Sequence, residues 1–119
     1  MSETPSVAGT QSVSDLLDQL WVKFLPQIQD RASTLQRAAI ALADGSLSPD
    51  LRADAHAAAH KLAGSLGTFG FTAVGELARE AEALLAGNAP FEAAAQSRLT
   101  QISADLESLL YRRGTSRIS

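Results

Sequence analysis

The chain has 119 residues, of which 45% are hydrophobic and 5% aromatic, and its net charge at pH 7 is −3. The acidic balance argues against nucleic-acid binding, and the absence of cysteine excludes disulfides, thiol catalysis and cysteine metal sites. No apolar run approaches the roughly 20 residues that a membrane span needs, and the first residues lack the basic and apolar blocks of a signal peptide. We therefore expect a single-domain cytoplasmic protein that does not bind membranes.

The N-terminal part of the sequence predicts two helices separated by a proline. Residues 1–13 include many Ser, Thr, Gly and Pro residues and are predicted to be flexible. A short helix is predicted next, because apolar residues recur at three- and four-residue intervals: Leu16, Leu17, Leu20, Trp21 and Phe24. Pro26 should break this helix or start the next one, which ends at Asp44-Gly45. The predicted buried face of the second helix is formed by Ile28, Leu35, Ala39 and Leu42.

Three further helices are predicted in the rest of the chain. Ser48 is a suitable cap and Pro49 suits the first helical position, so the third helix should run from Pro49 to Leu66 or slightly beyond. The segments "GTFGF" and "GNAP" are typical of breaks between helices. They separate this helix from two amphipathic segments at about 72–86 and 91–112.

No segment alternates convincingly with period two, so the predicted fold class is all-α. We predict an antiparallel up-down four-helix bundle over residues 14–113, with a short additional N-terminal helix packed at one end. Residues 114–119 are predicted to form a flexible C-terminal tail. No surplus apolar stripe suggests a partner helix, so a monomer is expected.

The third helix carries a histidine on the side away from its predicted core face. When the helix is unrolled at 100° per residue, the residues within about 60° of Leu62 form that core face: Leu51, Ala55, Ala58, Ala59, Leu66 and Phe69. His60 lies about 160° from Leu62, and apart from His56 its neighbours on that side are small: Ala53, Ala57, Gly64 and Gly67. Such a surface lets a second macromolecule approach the imidazole, although small residues also permit packing against another helix.

Two of the chemistries open to His60 have weak support. A hydrolytic triad lacks a G-x-S-x-G element, and Ser65 is expected to bond to the carbonyl of Lys61 instead. His56 and His60 have the i,i+4 spacing of some metal sites, but the chain has only two histidines and no cysteine. A metal would therefore need carboxylate ligands from another helix.

Acceptance of a phosphoryl group is the third possibility. Near pH 7 most of an unperturbed imidazole is neutral and has a free ring nitrogen that can attack phosphorus. Lys61 is either a flexible cation that swings toward the phosphate or an ordinary solvated lysine. The chain has neither a P-loop nor a kinase-type glycine loop, so we expect no ATP binding and no autonomous kinase activity. The phosphoryl group would have to come from, and leave to, another protein.

The segment "AHKLAGSLGTFGF" resembles the signature of the histidine-containing phosphotransfer (HPt) domains of two-component phosphorelays. The positions of the family pattern are occupied by His60, Leu62, Gly64, Ser65 and Gly70. The resemblance implies that His60 is the phosphoryl acceptor, with Ser65 nearby, and that Gly64 clears the surface for a docking partner. The implied partners are response-regulator receiver domains, through their aspartate, and hybrid sensor histidine kinases. The implied role is signal transduction through phosphohistidine without a cofactor in this chain, since the receiver supplies Mg²⁺.

One position departs from the family pattern. Many members carry a lysine three residues after the histidine, where this chain has Ala63. Lys61 is a candidate supporting residue, although it lies about 100° around the helix from His60. Arg79 and Glu82 on the next helix are candidates to orient the ring, but the sequence does not determine the rotation of that helix. The alternative function is a helical adaptor that docks receiver or kinase domains without being phosphorylated.

Overall fold

Four helices make up most of the chain in a computed structural model that describes residues 13–118, apart from the side chains of residues 14 and 111–118. They are α1 (Val13–Ala43), α2 (Pro49–Thr68), α3 (Thr72–Leu85) and α4 (Ala93–Ile118). Since residues 13–118 contain no strand, the predicted all-α class is confirmed. The predicted flexible segment 1–13 lies outside the described residues, except for Val13. The last helix continues beyond its predicted end near 112, and the flexibility of the tail stays a prediction.

The predicted short N-terminal helix is not confirmed, because α1 runs without interruption through Pro26. Buried residues recur every seven positions on both sides of this proline: Trp21, Ile28, Leu35 and Leu42. Burial of one large apolar side chain contributes about 1.5–3 kcal/mol, so several of them outweigh the roughly 3 kcal/mol that proline costs inside a helix. Because Pro26 is exposed, water can bond the Val22 carbonyl, which lacks its usual N–H donor.

The helices pack in a ring, in which α1 contacts α2 and α4, and α3 contacts the same two helices. Consecutive helices run antiparallel because their connections are short. The largest fully buried side chains come from all four helices: Trp21, Ile28, Leu35, Leu62, Leu66, Leu85, Leu99, Ile102 and Leu106. Within residues 13–118, no helix combines the length and apolar character needed to cross a membrane.

The first turns of α1 extend beyond the end of α2. Trp21 packs edge-on against Phe69 and Phe71, with ring centroids 5.4 and 5.0 Å apart, and these two residues follow the last residue of α2. Three of the apolar residues whose spacing predicted a helix here are exposed: Leu16, Leu20 and Phe24. Of these, Leu20 and Phe24 line a cleft between α1 and the end of α2.

The connection between α1 and α2 follows the predicted turn chemistry. Gly45 has a φ of 74°, a left-handed conformation that glycine adopts without strain, and it follows the end of α1. Ser48 caps α2, since its side-chain oxygen accepts a hydrogen bond of 3.0 Å from the backbone N–H of Leu51. Pro49 occupies the first turn of α2, where a missing N–H costs nothing.

The guanidinium of Arg52 ties α2 to the end of α3. Its nitrogens donate hydrogen bonds to the carbonyls of Leu85 at 3.0 Å, Ala86 at 3.0 Å and Ala89 at 2.7 Å. It also stacks on the ring of Phe91, 4.2 Å from the centroid. A cation is favoured here because the free carbonyls at the C-terminus of α3 carry partial negative charge.

We expect Arg52→Ala to lower the free energy of unfolding by about 2 kcal/mol, because carbonyls at the end of α3 lose their charged donor. The free energy of unfolding of Arg52→Lys should lie between those of wild type and Arg52→Ala, because one ammonium group cannot replace the planar fork of donors. Urea denaturation followed by circular dichroism measures both changes. A loss below about 0.5 kcal/mol for the alanine variant would mean that water replaces the arginine fully.

A bidentate ion pair joins α3 to α4. Both oxygens of Glu80 accept from Arg98, at 2.6 Å from Nε and 2.7 Å from Nη2. The hydrogen bond from Arg98 lowers the pKa of Glu80, and the bond to Glu80 raises the pKa of Arg98. Both groups therefore stay charged at neutral pH, and the pair helps to set the position of α3 relative to α4.

Candidate functional site

His60 projects into solvent from the middle of α2, and its side chain is 72% exposed. The predicted core face of α2 is confirmed. Its buried residues are Ala55, Ala58, Ala59, Leu62 and Leu66, with Leu51 and Phe69 partly buried against the same core. The imidazole is therefore on the opposite side of the helix, as the 100° periodicity predicts.

A carboxylate from the neighbouring helix holds one nitrogen of the imidazole. Nδ1 of His60 lies 2.9 Å from Oε2 of Glu82 on α3, whose side chain is 25% exposed. Since an ionised carboxylate only accepts hydrogen bonds, the proton of a neutral ring lies on Nδ1. The other nitrogen, Nε2, then carries a free lone pair. The arrangement is that of an oriented nitrogen nucleophile facing solvent.

The surface beside His60 is open at two helical glycines. A Cβ built on Gly64 or on Gly67 would meet no atom within 4 Å. Packing inside this protein therefore does not require glycine at either position, although each lowers helix propensity by about 1 kcal/mol relative to alanine. The contrast is Gly75 on α3, where a Cβ would lie 3.7 Å from the carbonyl oxygen of Ala63.

Lys61 and Ser65 lie on the side of α2 that faces α1. Lys61 is exposed and lines a groove between the two helices together with Arg31 and Asp54. The Oγ of Ser65 accepts a hydrogen bond of 3.2 Å from Nη1 of Arg31. The prediction that Ser65 bonds to the carbonyl of Lys61 is therefore wrong, since its hydroxyl bonds to Arg31 of α1. Ser65 thus links the two helices.

No group of three or more His, Asp or Glu side chains that could hold a metal ion occurs within residues 13–118. The carboxylate nearest to the ring in the described hydrogen bonds is Glu82, which contacts Nδ1 only. Within the described residues, the carboxylate ligands that a metal at His56 and His60 would need from another helix are therefore not in place.

Residues 19–111, which are most of this chain, match the Hpt domain family. The chain belongs to the Hpt domain family. It is also 37% identical over 71 residues to Protein RcaC of Microchaete diplosiphon. That match covers 60% of this chain and 11% of the relative, so the chain spans a small part of that protein's length. No solved structure matches the chain significantly.

Membership in the Hpt family confirms the resemblance that the sequence suggested around His60. It gives the chain a histidine phosphotransfer role in two-component signalling. The helical bundle of residues 13–118 agrees with this family.

The contact between this Hpt domain's Glu82 and His60 is the part of the site that the sequence left undetermined. It depends on how α3 is rotated and how far along α2 it lies, and one sequence contains neither quantity. A partial signal existed, since Gly75 and Glu82 are seven residues apart and so lie on one face of α3. Gly75 permits close approach to α2, and Glu82 follows on the same face two turns later.

Proposed function

We propose that this Hpt domain accepts a phosphoryl group on Nε2 of His60 and exchanges it with the aspartate of a response-regulator receiver domain. The receiver belongs to a separate regulator or to a hybrid sensor histidine kinase. The observation that carries the proposal is the 2.9 Å contact of Nδ1 with Glu82, which orients the ring so that Nε2 faces solvent on a side chain that is 72% exposed.

The transfer step balances without a proton donor or acceptor from outside. The Nε2 lone pair of His60 attacks the phosphorus of an aspartyl phosphate, so a P–N bond forms while the P–O bond to the aspartate breaks. The aspartate leaves as a carboxylate, and the imidazole keeps its Nδ1 proton and becomes cationic. Glu82 faces this proton and stabilises the developing positive charge. Transfer to a receiver is the reverse of the same step.

Three neighbouring residues are proposed to support the exchange. Gly64 leaves room for the receiver, since nothing occupies the space above its Cα. Lys61 adds a flexible positive charge next to the acceptor in an acidic protein. Ser65 acts indirectly, because its bond with Arg31 holds α2 against α1 and keeps the docking surface rigid.

The partner would complete the reaction centre. We propose that the receiver supplies Mg²⁺ and its own acidic pocket, and that this chain acts as a monomer without a cofactor. Transient complexes of this kind bury little surface, so an interface at or below about 1,200 Å² is expected.

The direct test is to mix the purified chain with receiver domains carrying ³²P-labelled aspartyl phosphate and to locate the label. We expect an alkali-stable, acid-labile label on the peptide that contains His60. A label at His56 or on a carboxylate would contradict the assignment. Binding without any label, across all receivers of the source organism, would favour the adaptor alternative.

We expect Glu82→Leu to slow labelling of His60 by the small donor phosphoramidate about tenfold, because the ring loses its orienting acceptor. Phosphohistidine should then form at Nδ1 as well as Nε2, and ¹⁵N–³¹P NMR distinguishes the two isomers. Glu82→Gln keeps an oxygen acceptor and should preserve Nε2 selectivity while losing rate. Glu76→Gln on the same helix is the matched control. Unchanged rate and selectivity in Glu82→Leu would show that Glu82 has no role.

A further inference from the structure

Phosphorylation of His60 would place negative charge close to the Glu82 carboxylate, and none of the contacts described above places a cation there to offset the repulsion. The phosphoryl group brings about two negative charges to a ring whose other nitrogen already contacts the Glu82 carboxylate. The middle of a helix gives little help from the macrodipole, and the chain is acidic overall. A cation on the Glu82 side of the ring would offset this repulsion.

The candidates on α2 itself do not lie on that side. Position 63 is an alanine that is only 4% exposed, and its carbonyl oxygen lies 3.7 Å from a Cβ built on Gly75 of α3. Lys61 lines the groove toward α1, on the other side of α2 from Glu82. Among the other cations nearby, Arg31 is bonded to Ser65 and to Gln27.

Arg79 lies on α3 between two residues whose positions against α2 are known. Gly75 is four residues earlier. A Cβ built on it would lie 3.7 Å from the carbonyl oxygen of Ala63 and 3.8 Å from the backbone nitrogen of Gly67. Glu82 is three residues later and contacts His60. Because α2 and α3 are antiparallel, Arg79 lies opposite the part of α2 between His60 and Gly67.

The rotation of α3 directs Arg79 toward the open surface. By the 100° rule, Arg79 lies about 40° from Gly75 and about 60° from Glu82, so all three share one side of the helix. Arg79 is exposed, and no hydrogen bond or ion pair with another described residue engages its guanidinium. No side chain stands on Gly64 or Gly67 to separate it from the ring.

The geometry points to Arg79 as the residue that binds the phosphoryl oxygens when His60 is phosphorylated. This inference rests on the proposed function and adds a phosphate-binding residue to it. A guanidinium presents a planar fork of donors that matches two phosphoryl oxygens, and it keeps its charge at any relevant pH. Arg79 and Lys61 then approach the phosphoryl group from opposite sides of α2, while Glu82 holds Nδ1 of the ring.

The test uses the full chain and two donors, phosphoramidate and a phosphorylated receiver domain. Arg79→Gln should slow labelling by phosphoramidate about five- to tenfold and should raise the pKa of the bound phosphoryl group in a ³¹P NMR titration. Arg79→Lys should recover part of both effects. Lys23→Gln, which removes one exposed charge elsewhere on the chain, is the matched control and should behave as wild type.

Three outcomes are informative. A wild-type rate and an unchanged phosphoryl titration in Arg79→Gln would overturn the inference. A loss confined to the receiver-dependent reaction, with normal phosphoramidate labelling, would also overturn it, since Arg79 would then contact the partner instead of the phosphoryl group. If wild type takes no label from either donor, the proposed function fails, which is a different result from a failure of Arg79 alone.

Discussion

Replacing His60 by glutamine should abolish all transfer of phosphoryl groups from receiver domains to this chain. Glutamine has no nitrogen lone pair that attacks phosphorus, whereas its polar side chain suits the exposed position on α2. The fold should persist, because the side chain of His60 is 72% exposed. Labelling with ³²P measures the loss, and calorimetry measures binding of the receiver, whose Kd should stay within about threefold of wild type.

His56→Gln is the matched control for this experiment. It removes the other histidine of the same helix, one turn earlier and partly buried, and should leave labelling intact. Residual labelling of His60→Gln at a new site would mean that the acceptor is elsewhere. Loss of receiver binding together with labelling would instead place His60 at the energetic centre of the interface.

Introducing a large side chain at Gly64 should slow transfer from the receiver about 10- to 100-fold without unfolding the domain. Gly64→Leu places a bulky group one turn from His60, where the partner must approach, and a small misplacement of reacting atoms costs rates of this size. Gly64→Ala should have a much smaller effect on transfer. Because a Cβ there meets no atom within 4 Å, the alanine should stabilise the helix by up to about 1 kcal/mol.

The small donor separates steric exclusion from damage to the site. Phosphoramidate needs little room, so it should label Gly64→Leu at close to the wild-type rate. Thermal denaturation reports whether the fold is intact. Transfer from the receiver at the wild-type rate in Gly64→Leu would show that the partner does not cover this part of α2.

Periodicity in the sequence was sufficient to predict the side of α2 from which His60 projects. Apolar residues spaced three and four apart define one face of a helix whatever the surroundings, so the buried position of Leu62 and the outward direction of His60 follow together. The cap at Ser48 and the glycine at Gly45 were predictable for a similar reason. Their effect depends on a few adjacent residues.

Pro26 was misjudged because local propensity and tertiary packing oppose each other at that point. Proline disfavours a helix interior, and the sequence alone does not reveal how much burial is gained by continuing. The contacts of Trp21 with Phe69 and Phe71 join residues far apart in the chain and favour one long helix.

The sequence by itself determined the all-helical class, the exposed histidine and the small residues around it, because each depends on residues within a few turns of one another. The tertiary structure alone decided that Glu82 holds Nδ1, that Gly75 of α3 lies close to the backbone of α2, and that Ser65 bonds to α1. These features depend on the rotation and offset of whole helices. Those quantities come from packing summed over the entire core, so no local stretch of sequence contains them.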